Sequence, residues 1–217
     1  KRVCHAMGIS INEYLVSVYI WSVYTECLHG MPSKCPIRVA VPVNLRPYFN
    51  SITTKNFFVM VSAEFHPTKE TYTFAEVAAI VKESLRSQIN RENLEKLFSY
   101  NVSNEKLLIA RVVPLFLKNL AMKYVYTTSA LANTATITNI GNISVTEEYR
   151  PYVEMFHAFL AMSKGQHLKG TICSYGDTLV FSFSYDLVDA SVQRGFFRKI
   201  ASDGIAVEIK SNGVNYE

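Results

Sequence analysis

The sequence has few glycines, and it lacks the glycine-rich loops that bind nucleotide phosphates. Glycine occurs nine times in 217 residues, and neither G-x-G-x-x-G nor G-x-x-x-x-G-K-[ST] is present. The nucleophile motif G-x-S-x-G is missing as well. The sequence therefore gives no sign of a nucleotide-phosphate cradle or of an α/β-hydrolase nucleophile.

Long apolar runs and clusters of one charge are also missing. The apolar stretch 15–23 is interrupted by Ser and Tyr, far short of the ~20 residues that span a bilayer. Lys and Arg number 22 against 18 Asp and Glu, and the resulting charge of +4 is scattered along the chain. We therefore expect no membrane span and no nucleic-acid partner.

The cysteine pattern indicates reduced thiols. Cys-x-x-Cys is missing, and no secretory leader is visible, so we expect a cytoplasmic protein. A zinc site from Cys4, His5, Cys27 and His29 is conceivable, but these residues match no zinc-ligand spacing. We therefore predict no metal site.

The chain starts on Lys1 in what reads like the interior of a protein, which suggests a fragment or a trimmed chain.

The composition is that of a folded globular protein with a real core, since 49% of the residues are hydrophobic and 18% are charged. Two capping boxes, Ser10 with Glu13 and Thr73 with Glu76, predict helices that run to about residues 28 and 88. A third helical pattern covers 104–126 and is kinked or divided at Pro114.

Segments that alternate apolar and polar residues, or that are rich in β-branched residues, predict strands. A final helix is predicted to follow Asp189 and to end near Gly204. The predicted strands are 36–43, 56–65, 134–138, 153–162, 168–174, 178–185 and 205–209. Pro42 places a strand end, an edge or a bulge in the first of them. The order of elements predicts a single domain over 1–217 of class α+β, a two-layer sandwich with helices mainly on one face of a mixed sheet.

Polar residues at two strand ends are the candidate binding groups. Asn44 and Arg46 follow the first strand, where an amide and a guanidinium can reach an acyl carbonyl or a phosphate. The alternative, which we favour, is that Arg46 holds the strand end by binding loop carbonyls or an acid. Asn139 and Gly141 form either a bulge that aims an amide into a cleft or a simple bend.

The five histidines are isolated from one another in the sequence. His157 stands out because it lies in the apolar segment 153–162, where an imidazole needs a hydrogen-bond partner. We interpret it as a structural histidine rather than a catalytic base.

The order of motifs resembles the second half of alcohol acetyltransferase-like proteins, in the superfamily of chloramphenicol acetyltransferase and the condensation domains of peptide synthetases. The similar segments, spread over essentially the whole chain, are Gly8-Ile-Ser-Ile-Asn-Glu-Tyr14, Val41-Pro-Val-Asn-Leu-Arg-Pro-Tyr-Phe49, Asn56-Phe-Phe58, Thr138-Asn-Ile-Gly-Asn142 and Tyr175-Gly-Asp-Thr-Leu-Val-Phe-Ser-Phe-Ser-Tyr-Asp186. Two departures are Lys55, where members usually have Gly, and the missing signature His-His-x-x-x-Asp-Gly. That signature belongs to the first lobe of these proteins.

The resemblance implies a carboxy-terminal lobe of a two-lobed acyltransferase whose amino-terminal lobe is not part of this chain. In that family the second signature histidine is the general base on an acceptor alcohol or amine, which attacks an acyl thioester. Acyl-CoA would be a co-substrate, and no cofactor would be permanently bound. Asn44, Arg46, Asn139 and Gly141 would face the cleft and bind substrate, no residue here would be catalytic, and the isolated chain would be inactive.

Two other interpretations stay open at the level of sequence. One is half of a condensation-type domain with a carrier-protein-bound acyl donor. The other is a non-catalytic lobe that binds a partner protein through its sheet edge or through the face that the other lobe would cover. We also expect the isolated chain to form homo-oligomers, because a missing lobe would leave apolar surface exposed.

Overall fold

The structure is a computed structural model, and it describes residues 1–106, 113–163 and 165–212. The helices are α1 (Arg2–Met7), α2 (Ile11–Ser22), α3 (Arg46–Phe49), α4 (Phe74–Gln88), α5 (Arg91–Lys106), α6 (Leu115–Leu131) and α7 (Ser191–Ser202). The strands are β1 (Ile37–Asn44), β2 (Phe58–Phe65), β3 (Ala135–Asn142), β4 (Leu168–Tyr175) and β5 (Thr178–Tyr185). The predicted α+β class is confirmed.

Both predicted capping boxes are present, and they fix where α2 and α4 begin. The Ser10 side chain accepts a hydrogen bond from the Glu13 N–H, and the Glu13 carboxylate accepts one from the Ser10 N–H. Thr73 and Glu76 make the same reciprocal pair at α4. A π-helical turn, Val23–Cys27, continues α2 toward the predicted stop.

The five strands form one mixed sheet of order β2-β1-β3-β4-β5. β1 and β2 pair antiparallel, as do β4 and β5, whereas β3 runs parallel to both β1 and β4. The β4–β5 hairpin turns through two residues, Gly176 and Asp177, as the Tyr-Gly-Asp sequence predicts. Gly176 has φ 56°, which favours glycine in such a turn.

Helices α2, α4 and α7 cover one face of the sheet, called here the inner face. The buried side chains include Val39, Val61, Ile137 and Phe196, each fully or almost fully shielded from solvent. This one-sided covering is the predicted two-layer arrangement. It explains why α2 is buried along most of its length, with Val16, Val18 and Ile20 each at 0% exposure.

The opposite face, the outer face, corrects one prediction. Segment 153–162 forms no strand, although its alternation predicted one. The segment instead crosses over β4, where the Cys173 thiol donates to the Phe156 carbonyl oxygen and Lys169 Nζ donates to the Ala161 carbonyl oxygen. The alternation therefore reflects a chain that lies on a sheet rather than within it.

The predicted strand 205–209 is also absent, although these residues are described. The two apolar residues Ile205 and Val207 pack against the core from an irregular segment after Gly204, which has φ 78°. Four elements were missed by the sequence pattern: α1, α3, most of α5 and the 3₁₀ helix Glu147–Tyr152. Asn90 marks the start of α5, since its Oδ1 accepts from the Asn93 N–H.

Pro114 directly precedes α6, at the position where the sequence predicts a kink or a division. Residues 107–112 of the predicted helix 104–126 lie outside the described residues. α6 begins directly after Pro114, whose carbonyl oxygen accepts from the N–H groups of Leu117 and Lys118. Within the described ranges, no helix is long and apolar enough to cross a membrane.

Side chains of α4 cover the free edge of β2. Gln88 accepts from the Ser62 N–H and donates to the Ser62 carbonyl oxygen, at 3.3 and 2.9 Å. Ser84 Oγ accepts from the Glu64 N–H at 3.1 Å. These contacts satisfy backbone groups that an edge strand otherwise presents to solvent or to another strand.

Candidate functional site

Asn44 and Arg46 lie where β1 leaves the sheet, and their hydrogen bonds are directed into the following loop. Arg46 Nε donates to the Thr53 carbonyl oxygen at 2.9 Å, and Nη2 donates to that of Lys55 at 2.7 Å. Asn44 Oδ1 accepts from the Arg46 N–H and from Nη1. This is the structural interpretation favoured from the sequence: Arg46 fastens the loop after α3 to the strand end.

Asn139 and Gly141 form a β-bulge in β3, rather than the end of the strand. Asn139 stands opposite Ile172 of β4 and Gly141 opposite Cys173, so Ile140 is left over. Asn139 Oδ1 accepts from the Gly141 N–H at 2.8 Å, and Gly141 has φ 87°. The strand therefore continues to Asn142, and the predicted break at Asn139 is corrected to a bulge.

The two pairs lie toward the same edge of the sheet, because β1 and β3 are neighbouring parallel strands. Asn44 and Arg46 lie at the carboxyl end of β1, and Asn139 and Gly141 lie within the last residues of β3. The ladder between β1 and β3 is short: Val39 pairs with Ala135 and Ala40 with Thr136. Beyond these residues the two strands diverge. Pro42 lies in the diverging part of β1 and pairs with Met60 of β2 on the other side, which agrees with the predicted strand end or edge.

A cleft of about 640 Å³ opens on the outer face beside this divergence. Strands β1 and β2 form its floor, and α5 and α6 border it. The apolar side chains that line it are Phe58, Met60, Leu97, Tyr100 and Tyr126. Phe58 and Met60 are about half exposed, because alternate β2 residues point away from the core.

Polar side chains line the other side of the same cleft. They are Asn133, Thr136, Ser163 and Gln166. Asn133 Oδ1 accepts from Ser62 Oγ at 3.0 Å, and Ser163 forms a short antiparallel bridge with Gln166. The cleft is therefore two-sided: aromatic and aliphatic groups face hydroxyl and amide groups, a common composition for sites that bind small molecules.

The sequence pattern did not reveal the segment 161–163 or the lysine beneath it. Lys169 lies on the outer face of β4 and is only 7% exposed, with Nζ donating to Ser163 Oγ at 2.5 Å. The available signal was a lysine within a strand of otherwise small and apolar residues. The strand pattern of 168–174 alone does not show that the charge of Lys169 would be covered.

The histidines do not gather at the cleft. His157 is exposed, and its ring lies parallel to that of Phe159 with centroids 6.4 Å apart, so it needs no buried partner. His167 Nδ1 and Asp186 Oδ1 are 3.0 Å apart, a pair at least half exposed. The hairpin register predicts this pair, since Leu168 stands opposite Tyr185 and one more step reaches His167 and Asp186.

The zinc candidates do not form a cluster. Cys4 is buried in α1, whereas Cys27 is exposed at the end of the π-helical turn. Burial raises the pKa of the Cys4 thiol, and partial loss of hydration around the Cys27 thiol, together with the charges of Asp189 and Glu26, raises the pKa of Cys27. In the part of the chain that the structure describes, no group of three or more His, Cys, Asp or Glu side chains is placed to hold a metal ion.

No protein-family model and no curated protein matches this sequence. Among solved structures, the nonribosomal peptide synthetase FmoA3 bound to alpha-methyl-L-serine-AMP matches with a TM-score of 0.58 and 16% identity, over 94% of this chain and 21% of that chain. FmoA3 bound to AMPPNP matches with a TM-score of 0.56 and 17% identity, over 94% and 20%. A wax ester synthase/diacylglycerol acyltransferase from Marinobacter aquaeolei VT8 gives 0.47 and 15%, over 94% and 46%.

The match thus covers nearly all of this chain but only about a fifth of the length of FmoA3. The fold of this chain is therefore similar to that of part of a peptide synthetase. The resemblance found in the sequence is supported at the level of fold.

Proposed function

We propose that this chain is one lobe of an acyltransferase that transfers an acyl group from a coenzyme A thioester to the hydroxyl or amine of an acceptor. The observation that carries the proposal is the fold: the chain matches part of a peptide synthetase over 94% of its length. The family motifs occur along it in the expected order. An amino-terminal lobe would supply the other wall of the reaction cleft.

The reaction needs a base that removes the acceptor proton, and we place that base, a histidine, on the other lobe. The acceptor oxygen or nitrogen attacks the thioester carbonyl carbon, the new bond to the acyl group forms, and the carbon–sulfur bond breaks. The coenzyme A sulfur leaves as a thiolate and takes up a proton. Donors near the carbonyl oxygen stabilise the tetrahedral intermediate.

The contribution of this lobe is binding and positioning. We propose that Asn44, Arg46, Asn139 and Gly141 bind substrate at the carboxyl edge of β1 and β3. The described hydrogen bonds engage Oδ1 of both asparagines, so their Nδ2 amides are the groups that would contact the substrate. Arg46 would act through the loop that it fastens, and Gly141 through the bulge geometry that its positive φ allows.

The test is acyl transfer by the gene product that contains this chain and everything encoded upstream of Lys1. Incubation with acetyl-CoA and a primary alcohol should release free thiol and form an ester in equal amounts. Replacing the upstream signature histidine by Ala should abolish both, and residues 1–217 alone should release no thiol. An upstream sequence without the signature, together with no thiol release, would contradict the proposal.

A carrier-protein-bound acyl donor is the second candidate, and the match to a peptide synthetase favours it. An acyl group presented on a phosphopantetheinyl carrier protein should then react faster than the same group on free coenzyme A.

A third candidate is a non-catalytic lobe that binds a partner protein, favoured by the exposed apolar residues of α6 such as Leu115, Phe116 and Leu120. That candidate predicts no transfer from either donor.

A further inference from the structure

Lys169 is a buried cation that the proposed reaction does not use. Its residue is 7% exposed, in a row across the sheet where it stands between Thr136 of β3 and Ser184 of β5. Segment 161–163 covers it. Lysine is rarely this buried without a function or a charged partner, because removing an ammonium group from water is costly.

The described partners of this ammonium group are neutral oxygens. Nζ donates to the Ala161 carbonyl oxygen at 2.8 Å and to Ser163 Oγ at 2.5 Å. Among the described residues, no carboxylate forms a salt bridge with Lys169. The positive charge is therefore held beneath the loop without a negative charge from the described chain.

Ser163 connects this charge to the cleft. Its side chain lines the cleft and also touches Lys169. Because Oγ accepts the hydrogen bond from the ammonium group, the hydroxyl hydrogen is left to donate elsewhere, and the nearby charge strengthens it as a donor. Thr136, which pairs with Lys169 across the ladder, lines the cleft as well.

We propose that Ser163, supported by Lys169, binds the oxygen of an acyl group, with the chain of that acyl group packed against the apolar side of the cleft. An acyl compound fits both halves: the hydrocarbon contacts Phe58 and Met60, and the oxygen, which is negative in a carboxylate and partly negative in a thioester, accepts from Ser163. Ser163 is a binding residue and Lys169 a positioning residue. This inference rests on the proposed function and adds to it the residue that holds the acyl oxygen.

The probe for the experiment is decanoate, with decanol as the ligand of equal chain length that lacks an acyl oxygen. Calorimetric titration of the full gene product should show Ser163→Ala weakening decanoate binding about tenfold or more, since a hydrogen bond to a charged group is lost. Decanol affinity should change less than about threefold. Ser163→Thr keeps the hydroxyl and should keep decanoate affinity within about threefold of the unsubstituted protein.

Ser182→Ala is the control, because it removes another serine hydroxyl on the outer face, at a buried position that does not line the cleft. It should leave both affinities unchanged. Lys169→Met should weaken decanoate binding more than decanol binding, and circular dichroism checks that this variant folds. Equal decanoate affinity in the unsubstituted protein and in Ser163→Ala would overturn the inference.

Binding and catalysis separate the two proposals. Decanoate binding that depends on Ser163, in a protein that transfers no acyl group, supports the inference and removes the proposed function. If the protein transfers acyl groups but Ser163→Ala leaves its decanoate affinity unchanged, the proposed function is supported and the inference about Ser163 is overturned.

Discussion

Arg86 Nε lies 2.7 Å from Glu13 Oε1, and this ion pair joins the last turn of α4 to the first turn of α2. The guanidinium also donates to Glu13 Oε2 and to the Gly8 carbonyl oxygen, at 3.1 and 3.3 Å. Glu13 is 7% exposed and takes part in the capping box of α2. One carboxylate therefore caps the start of α2 and also links α2 to α4 in the inner layer.

The first prediction concerns loss of this pair. Arg86→Met keeps the apolar stem but leaves the Glu13 carboxylate buried without its cation, so we expect the Tm to fall by about 3–8 °C. Lys96→Ala, which removes the exposed i,i+4 pair with Glu92, is the control and should shift the Tm by less than about 1 °C. Calorimetric melting measures both. Equal Tm shifts in the two variants would show that the burial of Glu13 does not increase the contribution of its ion pair to stability.

The second prediction concerns acid. Although burial raises the pKa of Glu13, hydrogen bonds from Arg86 and Ser10 together with the Arg86 charge hold it below its ordinary value. A carboxyl group whose pKa is lowered by folding adds stability above its unfolded pKa of about 4.3, and loses it as the pH falls through the folded pKa. Glu13→Gln keeps a capping acceptor without the charge. Its Tm deficit should be largest above about pH 5 and should shrink on acidification below pH 4.

The third prediction compares two glycines. A Cβ added at Gly170 would lie 2.7 Å from Phe181 Cζ and 3.2 Å from Ile137 Cγ1, both in the core layer. Gly170→Ala should therefore cost about 1–3 kcal/mol of unfolding free energy. Gly195→Ala in α7 would bring the new Cβ within 2.9 Å of Glu26 Cγ instead, and because that side chain can turn away and alanine favours a helix, it should cost less stability than Gly170→Ala. Urea unfolding distinguishes the two; a neutral Gly170→Ala would contradict the close packing.

The fourth prediction concerns the loop fastened by Arg46. The single ammonium group of a lysine in Arg46→Lys cannot replace the planar guanidinium, which donates to the Thr53 and Lys55 carbonyl oxygens at the same time. We expect faster hydrogen exchange of the amides in 50–57, with Leu45 included because its N–H donates to the Phe57 carbonyl oxygen. The amides of α7 serve as internal controls. Unchanged exchange in 50–57 would mean that the loop holds its shape without the guanidinium.

The fifth prediction concerns self-association, which the sequence analysis expected. Helix α6 exposes Leu115, Phe116, Leu120, Met122 and Tyr124, each at least 65% exposed. Sedimentation of the isolated chain should show dimers or larger species at high concentration. Leu120→Glu should shift the distribution toward monomer, whereas Ile52→Glu, at an exposed position in a loop, should not. A strict monomer would count against a missing partner surface.

Local signals in the sequence were sufficient for much of the fold. The capping boxes at Ser10 and Thr73, the strands of the β4–β5 hairpin and the helix boundary at Pro114 depend on neighbouring residues only, and the structure has them all. The sheet order and the parallel pairing of β3 do not follow from local pattern, because they depend on contacts between residues far apart in the chain.

The wrong predictions have the same physical origin. Segment 153–162 alternates because one side rests on β4, and burial alone does not tell a strand inside a sheet from a chain across it. Asn139 and Gly141 were recognised as a bulge or a bend, and only the register with β4 decides for the bulge. The site residues Asn44, Arg46, Asn139 and Gly141 were placed at one edge by this topology, and their role in binding stays a prediction.

The helix side chains along β2 also limit how copies of this lobe can assemble. Ser84 and Gln88 occupy the N–H and the carbonyl oxygen of Ser62 and the N–H of Glu64 at this margin of the sheet. A strand of another copy that paired here would first have to break these contacts, which disfavours growth of a continuous sheet from copy to copy.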